Sequence, residues 1–527
     1  MKKLVLLISI LFLNLTSAQI VVQGDLTTDQ TLTSSSTYLL RGFVRVKAGA
    51  TLTIEPGTVI YGENSSQGSL IVQPGGKIVA NGTKEQPIVF TSEFRKAGAS
   101  RPPTYGDWGG IIILGNARIN VPGGTSQIEG PGDTFGGTND DDNSGVLRYV
   151  RIEYPGIAFS PNNEINGLTF GGVGRGTTIE YVQVSYSGDD SFEWFGGNVN
   201  GKYLIAYKGW DDDFDTDFGY AGKLQFLLSV RDPQIADQSA SNGFESDNDG
   251  SGSGNTPLTS PTWFNVTLIG PKQDASTQIN SLYKRGMHLR RNSQNKISNA
   301  LIMGWPTGIL LDGAPTINGA INQTNYIKNS IISGSTSASV DTTKSTGGFA
   351  PVDWFTTDMA GRIYTTNGEI QLSNPFSSTQ PSFLPTSNSP VLVSAATPPN
   401  DGFFDASANY VGAFKDIDWT STWSDFNPVG PTSVKNKVAI SDFQLNQNYP
   451  NPFNPVTSIS YQLPGSSNVT LRVFDILGNE VAILVNESQA AGSYSVNFDA
   501  AQLSSGIYIY QLAVESFIQT KKMTLLK

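Results

Sequence analysis

Four segments of this chain align on one aromatic position. LRYVRIEY (147–154), IEYVQVSY (179–186), GKYLIAYKG (201–209) and KLQFLLSVRD (223–232) superpose Tyr149, Tyr181, Tyr203 and Phe226, and the last three lie 22 and 23 residues apart. A short strand of alternating side chains cannot bury its apolar side alone, so a repeat of this length must stack on its neighbours. It predicts an all-β protein built on a right-handed parallel β-helix, one repeat per winding. VKAGATL (46–52), IEPGTVI (54–60) and VQPGGKI (72–78) carry a shorter form of the pattern, the last two 18 residues apart. WFNVTLIG (263–270), ISNALIMG (297–304) and IKNSIISG (327–334) continue it with longer insertions, as loops leaving one face would. A hairpin-built sandwich also supplies short strands and Gly turns, but not repeats in register. Asn residues in NSQNKISN and NQTNYIKN fall at corners, where Asn tolerates left-handed dihedrals.

Charge and composition remove several classes of function. The formal net charge of -11 repels phosphate backbones and anionic membranes, so no nucleic-acid partner is expected. There is no Cys, which excludes disulfides and thiolate chemistry, and His288 is the single His. The start, MKKLVLLISILFLNLTSAQ, has two Lys, an apolar run and then Thr16-Ser17-Ala18, the layout of a signal peptide over 1–18 cut before Gln19. No other stretch is a candidate transmembrane span.

A passenger is expected over 24–428, ending in the aromatic-rich YVGAFKDIDWTSTWSDFNP (410–428), which is expected to cover the last open coil. A linker follows over 429–441. The stretch 442–527 has alternating strands in TSISYQLP, VTLRVFDILG, GSYSVNFDA and GIYIYQLAV, the pattern of a small antiparallel sandwich. It opens with Asn448-Tyr449-Pro450-Asn451-Pro452-Phe453, continues through Val473-Phe474-Asp475-Ile476-Leu477-Gly478-Asn479 and Gly506-Ile507-Tyr508-Ile509-Tyr510, and closes on Lys521-Lys522-Met523. These motifs resemble the C-terminal sorting domain of proteins exported by the type IX secretion system of certain Gram-negative bacteria. The resemblance implies an Ig-like sandwich that partners the secretion machinery and is usually removed on export, leaving the passenger released or on the outer cell surface. Through Asp107-Trp108-Gly109-Gly110 and Asp190-Ser191-Phe192-Glu193-Trp194-Phe195-Gly196-Gly197, the passenger is similar to uncharacterised secreted β-helix proteins.

Three acidic segments, GDDSFEWFGG (188–197), WDDDFDTDFGYAG (210–222) and NGFESDNDG (242–250), place Phe192, Phe214 and Phe244 in one column and Glu193, Asp215 and Glu245 in the next. GMHLRRN and GILLDG add Met287 and Ile309 to the first column, His288 and Leu310 to the second. Adjacent strands lie about 4.8 Å apart and neighbouring side chains alternate faces, so the apolar column is expected inside and the acidic column facing water. Carboxylates about 5 Å apart repel by about 1 kcal/mol even in water. Splaying into solvent, protonation or a hard cation relieves this, and Ca2+ suits oxygen ligands. The candidate metal ligands are Asp190, Glu193, Asp213, Asp215, Asp217, Glu245 and Asp247. The alternative is that these Asp residues form solvent-facing Asx turns. No EF-hand loop is present, and GGVGRG (171–176) lacks the following helix of a nucleotide site, so no organic cofactor is expected.

Two functions remain open. One is a binding or structural module, for a polysaccharide, a surface glycan or adhesion. The other is a carbohydrate-active enzyme, since the fold resembles that of β-helical polysaccharide lyases and glycosidases. In that case Glu245, His288 and Arg290 are the candidate acid–base groups, beside Lys284, Arg285 and Arg291 of YKRGMHLRRN. The alternative for this segment is a basic patch that neutralises its acidic neighbours. Trp194, Trp210, Trp263 and Trp305 are candidate sugar platforms or packing residues.

Overall fold

The computed structural model describes residues 19–160, 163–343, 348–378, 380–429, 443–448, 451–463, 467–489, 492–514 and 517–526. The expected signal peptide, nearly all of the expected linker, and Tyr449 and Pro450 of the sorting motif lie outside the described residues. The chain divides into two compact units between residues 434 and 435, within the expected linker.

The first unit is a parallel β-helix of 25 strands. Each strand pairs with its counterpart one winding on, as in Ile179 with Gly201 and Gly201 with Leu224. Tyr149, Tyr181, Tyr203 and Phe226 have φ of 50°, 54°, 58° and 61°. These left-handed residues bend the strand at the same point of each winding and turn their rings outward, where centroids stack at 4.4, 4.3 and 4.8 Å. An L-residue in this conformation costs about 1–2 kcal/mol, and each stacked pair returns about 0.5–1.5 kcal/mol beyond the area it buries. In later windings the position passes to Asn265, Asn299 and Asn329, with φ of 56°, 58° and 48°. Asn265 donates to the carbonyls of Ala408 and Tyr410, and Asn299 to that of Ala396.

The aromatic segment 410–428 does not cover the end of the coil. It runs back along the side of the helix over the tyrosine stack. Trp423 packs edge-on to Tyr149 and Tyr181, at 5.9 and 6.0 Å, and Trp419 packs on Tyr203. The Gln183 amide donates to Asp425 O while Asp425 N–H donates to Gln183 Oε1, both at 2.8 Å. Left-handed corners throw an apolar stripe out of the coil, and that stripe recruits the tail. The end of the interior core is closed instead by Trp354, Phe355 and Met359 of the helical stretch after Pro351.

The second unit is a sandwich of a three-stranded and a four-stranded antiparallel sheet. Its core joins Ile459 and Tyr461 of one sheet to Leu471, Val473, Tyr510 and Leu512 of the other. The sorting motifs are structural here. Asp475 Oδ1 accepts from the N–H groups of Leu477 and Asn479 to close a turn, and buried Asn448 donates its N–H to Tyr510 Oη.

Candidate functional site

Strands Phe192–Gly197, Phe214–Asp217, Asn242–Ser246, Arg285–Leu289 and Thr307–Leu311 form one face of the helix. Their register aligns Phe192, Phe214, Phe244, Met287 and Ile309 in sequence order. The Phe rings lie 5.4 Å apart at each step, wholly inside. Glu193, Asp215, Glu245, His288 and Leu310 follow in the outward column. Gly197, with φ of 77°, ends the first of these strands where a Cβ would stand 2.4 Å from Val173 O.

The acidic column points outward as expected, but it is not bathed in water. Asp190 and Glu193 are each only 8% exposed. The loop carrying Glu129 lies over Glu193, and the Asn166 amide donates to both carboxylates. Glu129 belongs to no repeat, and no sequence signal pointed to it.

The acids fall into two classes. In the third acidic winding Glu245 and Asp247 are paired with basic side chains. Arg290 bonds Asp247 at 2.8 Å and also Glu245, and Arg291 bonds Asp247 at 2.7 Å. His288 lies between Glu245 and Asp312, each 3.1 Å from a ring nitrogen. The candidate acid–base groups Glu245, His288 and Arg290 are therefore brought together, each bonded to another member of the lattice.

In the first two acidic windings, among the described residues, no Lys or Arg bonds Asp189, Asp190, Glu193, Asp211, Asp212, Asp215 or Asp217. Oxygens of Asp190, Glu193 and Asp215 lie within 4.8 Å of one another, as do those of Asp189, Asp190 and Asp211. Asp215 Oδ1 and Asp211 Oδ1 are buried without a hydrogen-bond partner. Burial first, and neighbouring carboxylates second, push Asp190, Glu193, Asp212 and Asp215 well above the usual carboxylate range. Burial raises Asp211 and Asp217 to about 7. Such a group stays protonated to higher pH, and a cation that offsets the lost hydration favours its ionised form.

Asp213 does not belong to this surface. It points into the coil, where it bonds Arg231 at 2.7 Å and accepts from Ser229 Oγ at the wall. Strand alternation starts at Phe214, so Asp213, at the preceding corner, does not share the face of Asp215. Trp194, Trp263 and Trp305 lie in the core, and Trp210 alone of the four is open, at 39% exposure.

A family model described as a pectate-lyase-like β-helix domain matches residues 24–370. A second, described as a secretion system C-terminal sorting domain, matches 447–525. No curated protein and no solved structure matches the chain. The sorting domain identifies the second unit as the part handled by the type IX secretion machinery, so the protein is exported, to the medium or the cell surface. Among the described residues no helix is long and apolar enough to cross a membrane.

Proposed function

The chain belongs to the family of pectate-lyase-like β-helix domains, and on that premise we propose that it is an exported glycan-binding module whose acidic face is held by Ca2+. The observation that carries the binding reading is the lattice around His288. A general base needs an uncommitted lone pair near the proton it takes, whereas both ring nitrogens of His288 already face carboxylates and Arg290 is divided between two acids.

The calcium reading rests on the first two acidic windings. Asp190, Glu193 and Asp215 supply oxygen ligands from two adjacent windings, and Asp189 and Asp211 extend the set through the shared Asp190. A divalent ion there would offset both the desolvation and the mutual repulsion of these groups. Beside this face, Trp210 offers an indole braced edge-on by Tyr105 at 5.7 Å, a surface on which a sugar ring can stack. Family membership favours a second reading, an enzyme acting on the same face.

One experiment separates the two. The protein is incubated with a panel of polysaccharides, with Ca2+ or with a chelator, while retention on the polysaccharide, reducing ends and absorbance of unsaturated products are followed. Retention without product, together with a melting temperature lowered by chelator, is the expected result. Product formation would establish the enzyme, and melting that is indifferent to chelator would remove the calcium.

A further inference from the structure

The two ends of the β-helix are finished differently. Trp354, Phe355 and Met359 close the interior core at the last winding. At the first winding, strand Gln19–Leu26 pairs in parallel with Thr37–Val46 along one edge, and among the described residues no strand pairs with its other edge. Such an edge carries a row of free N–H and C=O groups and is a template for another strand.

The side chains at this edge are uncovered as well. Strand register runs one interior column through Ile20, Tyr38, Ile60 and Phe90. Tyr38, Ile60 and Phe90 are buried, whereas Ile20 is 45% exposed. On the outward side Val21 begins a row that continues through Leu39 and Tyr61, and it is 41% exposed beside two buried neighbours. Among the described residues of the first unit, no other two consecutive large apolar side chains are both exposed. Sheet edges are ordinarily guarded by charge or by Pro, yet Gln19-Ile20-Val21-Val22-Gln23 has neither. The first acid, Asp25, follows the bend at Gly24, where φ is 70°, and faces Lys47 at 3.5 Å.

These five residues fit a copy of themselves. An antiparallel partner centred on Val21 sets Val21 against Val21, Ile20 against Val22 and Gln19 against Gln23, so apolar meets apolar and amide meets amide. Ile20 and Val22 share the inward side, where the two cores meet. A twofold axis through Val21 generates this pairing, and the contact closes on itself because the other end of each β-helix is capped. We propose that the exported protein is a dimer, two β-helices joined end to end through the free edge of residues 19–23. The occupant is a second copy of this chain because the edge is its own complement. The expected signal peptide, residues 1–18, directly precedes this edge and is the competing occupant. The inference is independent of the glycan and calcium readings, and a dimer carries the acidic face twice, giving two points of attachment to a repeating ligand.

The test is sedimentation equilibrium of the exported protein from about 50 μM down to about 0.5 μM, a range that spans micromolar dissociation constants. The expected mass at the upper end is that of two chains. Val21→Lys sets like charges opposite each other and is expected to weaken association about tenfold or more. Val21→Glu is expected to do the same, and mixing the two variants is expected to restore the dimer, since the axis then sets Lys against Glu. The chain has no Cys, so Val21→Cys offers a single thiol, and oxidation is expected to link two copies across the axis. Val393→Cys, at another exposed apolar position of the first unit, is expected to stay unlinked. One chain mass throughout, with no link through Val21→Cys, overturns the proposal, as does a dimer that Val21→Lys and Val21→Glu leave unchanged. Exported protein that retains residues 1–18 and stays monomeric gives the edge to the leader and overturns it too. Assemblies that grow beyond two chains contradict the closed axis. Should Val21→Lys fail to fold, linkage through Val21→Cys decides.

Discussion

Arg231 and Asp213 form an ion pair at 2.7 Å wholly inside the β-helix, with neither side chain exposed to solvent. Arg231 also donates to Trp210 O and to Tyr283 Oη, so one buried charge ties the corner beneath the exposed indole to the next loop. Removing one partner of such a pair leaves the other charged and dry, at a cost of about 3–5 kcal/mol. Asp213→Asn is therefore expected to lower unfolding free energy by that order in urea titration, while the stabilisation by Ca2+ persists. Loss of the calcium response in this variant would return Asp213 to the metal ligands.

Stability without metal should depend on pH in the direction opposite to ordinary paired carboxylates. Asp211 and Asp217 stand at about 7 in the folded chain against a usual 3.8, so the folded state holds protons that the unfolded state has released. Their contribution is complete below about pH 4 and is lost as pH rises through about 7. In chelator the melting temperature is expected to fall across that window, and about 1 mM Ca2+ is expected to flatten the fall. Asp215→Asn should raise the melting temperature in chelator at pH 7 and shrink the calcium increment. A melting temperature that rises from pH 4 to 7 in chelator would contradict this account.

These features differ in how far they could be read from the chain. The interior column at Phe192, Phe214 and Phe244 was legible because strand alternation and winding length are both periodic. The stack at Tyr149, Tyr181, Tyr203 and Phe226 was legible as an alignment, but its left-handed backbone was not. That backbone is why 410–428 lies along the flank instead of at the end. Glu129 escaped because a non-repeating loop delivers it to Glu193, and Asp213 was misplaced because alternation stops at a corner. The burial of Asp190 and Glu193 could not be read either, since it depends on loops from distant positions.

The flank contact predicts where stability resides. Trp423 is fully buried against Tyr149 and Tyr181, and its Nε1–H donates to Trp419 O at 2.8 Å. Trp423→Ala is expected to cost about 3–5 kcal/mol and to uncover the tyrosine stack, read as increased binding of a hydrophobic dye at denaturant concentrations where the native protein binds none. A variant as stable as the parent would mean that the tail only rests on the ladder.

Export should separate the two units. The sorting domain matched over 447–525 predicts that deleting it retains the β-helix inside the cell. Intact mass of the secreted parent is expected to fit a chain from near Gln19 that ends before residue 442. Secreted material that still carries 442–527 would show that the sandwich remains part of the working protein.

Arg290 stands where the acids paired with basic side chains meet those that, among the described residues, have no Lys or Arg partner. It bonds both Glu245 and Asp247, and Glu245 follows Asp215 directly in the outward column. Replacing Arg290 by Ala leaves Asp247 with Arg291, and Glu245 with His288 and the neutral Asn242 amide, so the third acidic winding gains uncompensated charge next to the first two. The variant is expected to lose about 1–3 kcal/mol in chelator and to recover more stability from Ca2+ than the parent does, with tighter or additional calcium binding by titration calorimetry. An unchanged calcium response would mean that the third winding is electrostatically separate from the first two, and that the proposed cation site is confined to the windings of Asp190 and Asp215.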